Sequence, residues 1–136
     1  MSIALIENHL CEHETVIKKI STENKKLILK MSDMIATTLN NNGTVFWMGN
    51  GGSTSDSMHI SAELIGRFDK NRRPLSSIAL SSDSAALTCI ANDYGFEHIF
   101  SRQIEALGRK NDCIVGISTS GMSLNILNGI NSAKRK

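Results

Sequence analysis

The sequence predicts an α/β fold in which a small doubly wound parallel sheet follows two N-terminal helices. Short apolar runs that end in glycine or serine are typical of buried parallel strands, and they occur at 44–48, 76–80 and 113–117. Segments with apolar residues at helical spacing alternate with these runs, at 53–68, 83–90, 96–107 and from about 123 through Ile130. Because strands alternate with helices, we expect crossover connections and a parallel sheet.

The first forty residues predict two helices with a break near Ser21. Apolar residues recur in both at steps of three and four, namely Leu5, Ile6, Leu10, Val16, Ile17 and Ile20, then Leu27, Ile28, Met31, Met34, Ile35 and Leu39. Asn41-Asn42-Gly43 supplies the left-handed residues that end a helix. The apolar stripe fits a core within the chain or an oligomer interface, since one small sheet cannot cover both helices. We expect a single domain, 1–136, with a helical segment at 1–42 and the sheet at 43–136.

Composition and charge argue against several classes of protein. A chain of 136 residues that is 40% hydrophobic and 21% charged fits one globular domain. A net charge of +2, with basic residues scattered among carboxylates, gives no case for a nucleic-acid partner. No apolar run approaches the ~18 residues of a membrane span, and the N-terminus does not resemble a signal peptide, so we expect a cytoplasmic protein. Cys11, Cys89 and Cys113 are too widely spaced to imply a disulfide framework or a zinc knuckle.

Two turns rich in serine and glycine follow predicted strands and open predicted helices. They are Gly49-Asn50-Gly51-Gly52-Ser53 and Ser118-Thr119-Ser120-Gly121-Met122-Ser123. A helix start offers unpaired N–H groups and the positive end of the helix dipole, to which the hydroxyl groups add further donors for an anion. A triphosphate loop would need a lysine here, and the third glycine of a dinucleotide fingerprint is replaced by Thr54. A single phosphate fits better, although either serine turn can also be a plain helix cap.

His59 and Glu63 lie one turn apart on the helix predicted at 53–68 and share one of its faces. We expect them beside the same cleft as the turns. Their spacing fits a surface pair, half of a metal site, or a carboxylate base beside a sugar carbonyl. Arg67, one turn further, is either a ligand contact or an ordinary solvated arginine. The segment Asn92-Asp93-Tyr94-Gly95 is either only a turn or a contributor to the cleft.

Three stretches together resemble the phosphoheptose isomerases of the sugar isomerase (SIS) domain family. They are GNGGSTSDSMHISAELIGRF, ANDYGFEHIFSRQIEALG and GISTSGMSLNIL, and the similarity covers nearly all of the chain after Thr44 and the N-terminal helices in outline. The resemblance implies a flavodoxin-like parallel sheet and a homotetramer assembled through the N-terminal helices. It also implies conversion of D-sedoheptulose 7-phosphate to D-glycero-D-manno-heptose 7-phosphate, for heptose in surface polysaccharides such as lipopolysaccharide.

The same resemblance assigns roles to individual residues. Ser53, Ser118, Thr119, Ser120 and Ser123 would hold the phosphate, and Asn50, Gly51, Gly52, Asn92 and Asp93 would line the substrate site. His59 and Glu63 would bind zinc, and Glu63 would also move the proton between the first two sugar carbons. A carboxylate base and stabilisation of the enediolate oxygens are what an aldose–ketose shift needs.

The chain departs from the family at its C-terminal end. Family members continue through two more strands and a helix that carries a glutamine and a histidine, which complete the zinc site. We therefore expect only three strands, and either a fragment of a working enzyme or a shortened product. The first rival hypothesis is a non-catalytic SIS module that binds a sugar phosphate or a protein such as the replication initiator. The second is a structural interaction protein in which the two turns are only helix caps. Glu63 favours the enzyme, because a sensor needs no carboxylate for proton transfer.

Overall fold

The computed structural model describes residues 2–136, which divide into two compact units, one ending at Met34 and the other spanning Ile35–Lys136. Helix α1 is Ile3–Lys18 and helix α2 is Thr22–Asn40, so the break predicted near Ser21 is confirmed. Ser21 and Asn24 form a reciprocal cap at this break, because each backbone N–H donates to the other's side-chain oxygen, at 3.0 and 3.2 Å. Asn42 has φ of 59° and lies just past the end of α2, which confirms the predicted left-handed stop.

The first helix buries none of its residues. Its large apolar side chains are substantially exposed, from 44% at Leu5 to 76% at Ile3. The second helix buries only Thr38 and Leu39, which lie in its last turn. The apolar stripe of α1 is therefore exposed within its own unit, and what covers it stays a prediction.

The sheet has three parallel strands in the order β2-β1-β3, as the sequence predicts. Strand β1 is Val45–Gly49, β2 is Ser77–Ala79 and β3 is Cys113–Ile117. In the central strand β1, all five residues except Gly49 are apolar, and all five are buried. The register aligns Gly49 with Ile117, so β1 and β3 end side by side.

Four α-helices follow the sheet strands, namely α3 at Gly52–Ile65, α4 at Ser84–Tyr94, α5 at Ser101–Leu107 and α6 at Leu124–Ala133. Asp83 caps α4 as predicted, since its carboxylate accepts from the Ala86 N–H at 3.0 Å. The predicted 96–107 helix is divided into a 3-10 turn, Phe96–His98, and α5.

Two further helix boundaries differ from the prediction. Helix α4 runs four residues past the predicted end at 90, so Asn92 and Asp93 lie in its last turn rather than in a loop. Helix α3 ends at Ile65 instead of 68. The Arg72 guanidinium fixes that end by donating to the carbonyls of Glu63 and Leu64 at 2.7 and 2.8 Å.

The two faces of the sheet carry separate apolar clusters because successive side chains of β1 alternate between them. Val45 and Trp47 pack with Leu39 and with partly buried residues of α2 and α3. Phe46 and Met48 pack on the opposite face in the larger cluster, with Leu80, Ile99, Phe100, Ile104 and Ile126. Helices therefore cover both faces, the arrangement of a doubly wound α/β fold. Among residues 2–136, no helix has the length and apolar character needed to cross a membrane.

Candidate active site

The two serine turns meet at the carboxyl edge of the sheet, where open parallel sheets bind ligands. They lie together because β1 and β3 are neighbours and end in register. Between them is a cavity of about 200 Å³, lined by Asn50, Ser53, Ile117, Ser118, Thr119, Ser120 and Ser123. This confirms that the turns share one edge, as the sequence predicts. In the described part of the chain, the residues that line this cavity carry many hydroxyl groups and include no lysine or arginine. An anion would therefore be bound by hydroxyl and helix N–H donors and not by a positively charged side chain.

The first turn takes β1 directly into α3. Gly51 occupies the N-cap position with φ of 54°, a left-handed conformation that favours glycine. A Cβ atom at Gly51 or Gly52 would meet no atom within 4 Å, so the exposed backbone here leaves room for a ligand. Ser53, in the first turn of α3, lies at the cavity wall. The Thr54 hydroxyl donates a hydrogen bond to the Gly49 carbonyl at 2.6 Å.

The second turn gathers three serine hydroxyl groups in front of α6. The Ser118 oxygen lies 3.2 Å from that of Ser123 and 3.5 Å from that of Ser120. Ser123 occupies the N-cap position of α6, yet its side chain makes no capping hydrogen bond. The alternative that Ser123 is only a plain cap is therefore not supported. Two of these oxygens also accept from the backbone, since the Gly121 N–H donates to Ser118 at 3.1 Å and the Met122 N–H donates to Ser120 at 3.2 Å. The hydroxyl protons therefore stay available to a phosphate oxygen.

The sequence reasoning missed one residue of this region, Asn125 in the first turn of α6. Its side-chain amide forms two reciprocal hydrogen bonds with that of Asn50, at 2.9 and 2.8 Å. Asn125 is 3% exposed and does not line the cavity. Neither its spacing from the serines nor its residue type indicates a partner 75 positions away, so the sequence carried no signal for it.

His59 and Glu63 lie on the outer face of α3. Two serines of the same helix, Ser57 and Ser61, are buried, whereas the His59 side chain is 74% exposed and that of Glu63 is 38% exposed. The His59 Nε2 and Glu63 Oε1 atoms are 3.4 Å apart, as expected for residues one helical turn apart. Both line a second, larger cavity of about 650 Å³, together with Arg67 and other residues of the segment after α3.

Within the described residues the His59–Glu63 pair and the turns line separate cavities, so the expectation that they flank one cleft stays a prediction. Glu63 is ten residues beyond Ser53 on one helix, which places it ~15 Å along the axis. Asn92 and Asp93 are exposed at the end of α4 and hydrogen-bond to each other at 2.8 Å. Neither is among the residues that line these two cavities.

His59 and Glu63 can supply part of the ligand set of a zinc ion. An imidazole nitrogen and a carboxylate oxygen are ordinary zinc ligands, and the separation of His59 and Glu63 lets both approach one ion. Within residues 2–136, however, no group of three or more His, Cys, Asp or Glu side chains is placed to hold a metal ion. The two residues fit as half of a tetrahedral site, which needs two further ligands.

Two hydroxyl-rich turns at the carboxyl edge of a parallel sheet define the class as an α/β protein with a candidate anion site, and comparisons with known proteins give the family. The family model for the SIS domain matches residues 9–136. The chain is 49% identical to the phosphoheptose isomerase of Helicobacter pylori over 131 residues, which cover 96% of this chain and 68% of that protein. It is 47% identical to the phosphoheptose isomerase of a Nitratiruptor species, with 96% and 70% covered.

Solved structures give the same result. The phosphoheptose isomerase from Francisella tularensis superimposes with a TM-score of 0.85 at 34% identity, covering 98% of this chain and 71% of that one. The enzyme from Neisseria gonorrhoeae gives 0.77 at 36% identity, covering 96% and 70%. The chain therefore belongs to the phosphoheptose isomerase family of SIS-domain proteins. It spans about 70% of the length of these relatives.

Proposed function

We propose that this protein is a phosphoheptose isomerase that converts D-sedoheptulose 7-phosphate to D-glycero-D-manno-heptose 7-phosphate. The observation that carries the proposal is the meeting of two hydroxyl-rich turns around one small cavity, at the start of α3 and of α6. A cavity of about 200 Å³ is below the usual size of a whole ligand pocket. It suits the phosphate end of a sugar, with the rest of the sugar extending outward past the exposed Gly51 and Gly52.

In this proposal, Glu63 is the base of the aldose–ketose shift. Its carboxylate removes a proton from C1 of the ketose, which leaves an enediolate, and returns a proton to C2 while the proton of the C1 hydroxyl moves to the oxygen on C2. Glu63 is suited to this task because its partly exposed carboxylate reaches back along α3 to within 3.4 Å of His59 Nε2, toward the helix end that carries the first turn. Arg67, which lines the same cavity, would contact the substrate's hydroxyl groups.

Zinc is the metal we propose for this site, with His59 and Glu63 as two of its ligands. When bound, the ion would stabilise negative charge on the sugar oxygens. Asn92 and Asp93 are assigned to the substrate site by the resemblance of their motif, and their exposed position leaves them available to a ligand.

The alternative of a non-catalytic binding module is less well supported. The relatives described above are named isomerases. A site that only binds phosphate does not need the Glu63 carboxylate. A module of that kind would bind the sugar phosphate without turnover, so the two proposals differ in one measurable property.

Replacing Glu63 with Gln tests the proposed function in the full-length protein. We expect turnover of D-sedoheptulose 7-phosphate, followed by NMR, to fall at least ~100-fold because general-base catalysis is lost. Binding measured by calorimetry should stay within about tenfold, since the phosphate turns are untouched. Glu23→Gln, at an exposed carboxylate in the first turn of α2, is the matched control. Turnover unaffected by Glu63→Gln would contradict the assignment of the base.

We also propose a homotetramer assembled through the N-terminal helices, in the cytoplasm, whose product supplies heptose for surface polysaccharide. The support for assembly is that α1 buries no residue while Ile6, Leu10 and Ile17 are more than half exposed. Apolar stripes of this kind are covered in most proteins by another surface. Light scattering, which measures the mass of the particle in solution, tests the proposed assembly.

A further inference from the structure

We propose that Asn125 is a positioning residue that clamps the two phosphate turns to each other through Asn50. The inference rests on the proposed function, because it concerns how the phosphate site is kept in shape. Asn50 Nδ2 donates to Asn125 Oδ1 at 2.9 Å, and Asn125 Nδ2 donates to Asn50 Oδ1 at 2.8 Å. The pair joins the turn after β1 to the first turn of α6, and Asn50 itself lines the cavity.

The position of the pair explains why a clamp is needed. The backbone ladder between β1 and β3 ends where Gly49 faces Ile117. Beyond it, the hydrogen bonds that the structure describes between residues 50–53 and 118–125 are the two of the amide pair. The width of the cavity between the turns therefore depends on the side-chain contact of Asn50 with Asn125.

The environment of Asn125 fixes its orientation. Its Oδ1 atom also accepts from the Ile126 N–H at 2.9 Å, so the oxygen is held toward the start of α6 and the NH₂ group toward Asn50. The residue is 3% exposed. A buried amide that loses its partner leaves unsatisfied donors and acceptors at a cost of ~1–3 kcal/mol. The pair is thus stable only with both amides present.

Asn125→Asp makes the strength of the contact with Asn50 depend on pH, so that its effect on phosphate binding can be measured as a function of pH. When the introduced carboxyl is ionised it has only acceptor oxygens, so it can accept from Asn50 Nδ2 but places its second oxygen against Asn50 Oδ1. When the same carboxyl is protonated, its O–H group can donate to Asn50 Oδ1 and restore the reciprocal pair. Burial of the carboxyl favours its neutral form, whereas the Ile126 N–H and the start of α6 favour its ionised form. The clamp in this variant should therefore open at high pH and close at low pH.

The experiment measures the dissociation constants of D-sedoheptulose 7-phosphate and of inorganic phosphate by calorimetry between pH 5 and pH 8.5. For Asn125→Asp we expect binding about tenfold weaker than wild type at pH 8.5, the equivalent of one lost hydrogen bond, and a variant-to-wild-type ratio that approaches one at pH 5. An ionised carboxylate would also repel the phosphate, so the uncharged variant Asn125→Ala is needed to separate this repulsion from loss of the amide pair.

Two further variants complete the design. Asn128→Asp makes the same change one turn along α6, where the amide donates only to the Glu97 carbonyl, and its ratio should be independent of pH. Asn125→Ala cannot form the amide pair at any pH, so its dissociation constant should stay about ten times that of the wild type throughout. This variant alone tests the clamp if Asn125→Asp does not fold. Wild-type affinity in Asn125→Ala, or a flat ratio in Asn125→Asp, overturns the clamp alone. Absence of binding by the wild-type protein overturns the proposed phosphate site as well.

Discussion

Gly49→Ala is the substitution for which the structure gives the clearest expectation. Gly49 is the last residue of β1 and the first residue of the turn at 49–53. A Cβ atom there would clash with the Ser53 carbonyl oxygen, and it would lie 2.6 Å from the Ser53 carbonyl carbon and 2.8 Å from the Ser53 Cβ. The shorter distance is 0.8 Å below the 3.4 Å at which ordinary contact begins. Because the obstacle is the backbone of α3, the first turn of this helix has to move by at least that amount, and a rotamer change cannot relieve the clash.

Two consequences of this displacement can be measured. Overpacking of this kind costs ~1–3 kcal/mol of the free energy of unfolding, which corresponds to a midpoint lowered by roughly 3–10 °C in a chain of this size. A displacement near 1 Å at a substrate-positioning turn can also cost ~100-fold in turnover. Thermal unfolding followed by circular dichroism gives the first quantity, and the isomerase assay gives the second.

Gly52→Ala is the stability control for this prediction. Gly52 is the first residue of α3, and an added Cβ would meet no atom within 4 Å. Alanine is favoured over glycine in a helix by ~0.5–1 kcal/mol, so the free energy of unfolding should stay the same or rise. If Gly49→Ala unfolds at the wild-type temperature and keeps wild-type turnover, the reasoning from backbone contact is refuted.

Two further predictions concern residues away from the phosphate turns. Ser77→Ala should lower the free energy of unfolding by ~1–3 kcal/mol, measured by urea denaturation, because the buried Trp47 Nε1 donates to the Ser77 hydroxyl at 2.9 Å and would lose its acceptor. A loss no larger than that of an average surface substitution would contradict this. Cys113 should react with iodoacetamide more slowly than the exposed Cys11 and Cys89, because burial raises the pKa of the Cys113 thiol and lowers its thiolate fraction at a given pH. Mass spectrometry of the alkylated peptides at pH 8 checks the order, and equal rates would overturn it.

The hydroxyl-lined cavity between the two turns determines which groups would bind a sugar phosphate. Because no lysine or arginine of residues 2–136 lines it, a sugar phosphate would be held by neutral donors and the ends of two helices, which gives moderate electrostatic attraction. Shape then contributes more to selectivity than charge does. This makes the spacing between the turns, and hence the Asn50–Asn125 pair, important for binding.

The sequence alone was sufficient for the features that depend on neighbours along the chain. The apolar run of β1, the left-handed stop at Asn42 and the cap at Asp83 are local, and each lies where the pattern predicts. The meeting of two hydroxyl-rich turns at one edge could also be predicted, because the carboxyl ends of parallel strands meet there. The motifs around these turns were specific enough to indicate the family.

Helix boundaries were less predictable where a distant residue sets them. Helix α3 stops at Ile65 because a guanidinium from beyond the helix, that of Arg72, satisfies its last carbonyls. The extension of α4 to Tyr94 includes Asn92 and Asp93, residue types that are common in turns. Their position in a packed domain outweighs that weak local preference.

Only the tertiary structure decided which side chains meet. A spacing of four placed His59 and Glu63 on one face of α3, but the burial of Ser61 against the sheet is what turns that face outward, toward a different cavity from the serine turns. The contact of Asn50 with Asn125 likewise follows from the pairing of β1 with β3, which brings together residues 75 positions apart. Periodicity along a chain fixes the direction of a side chain relative to its own helix, whereas long-range packing fixes what that side chain faces.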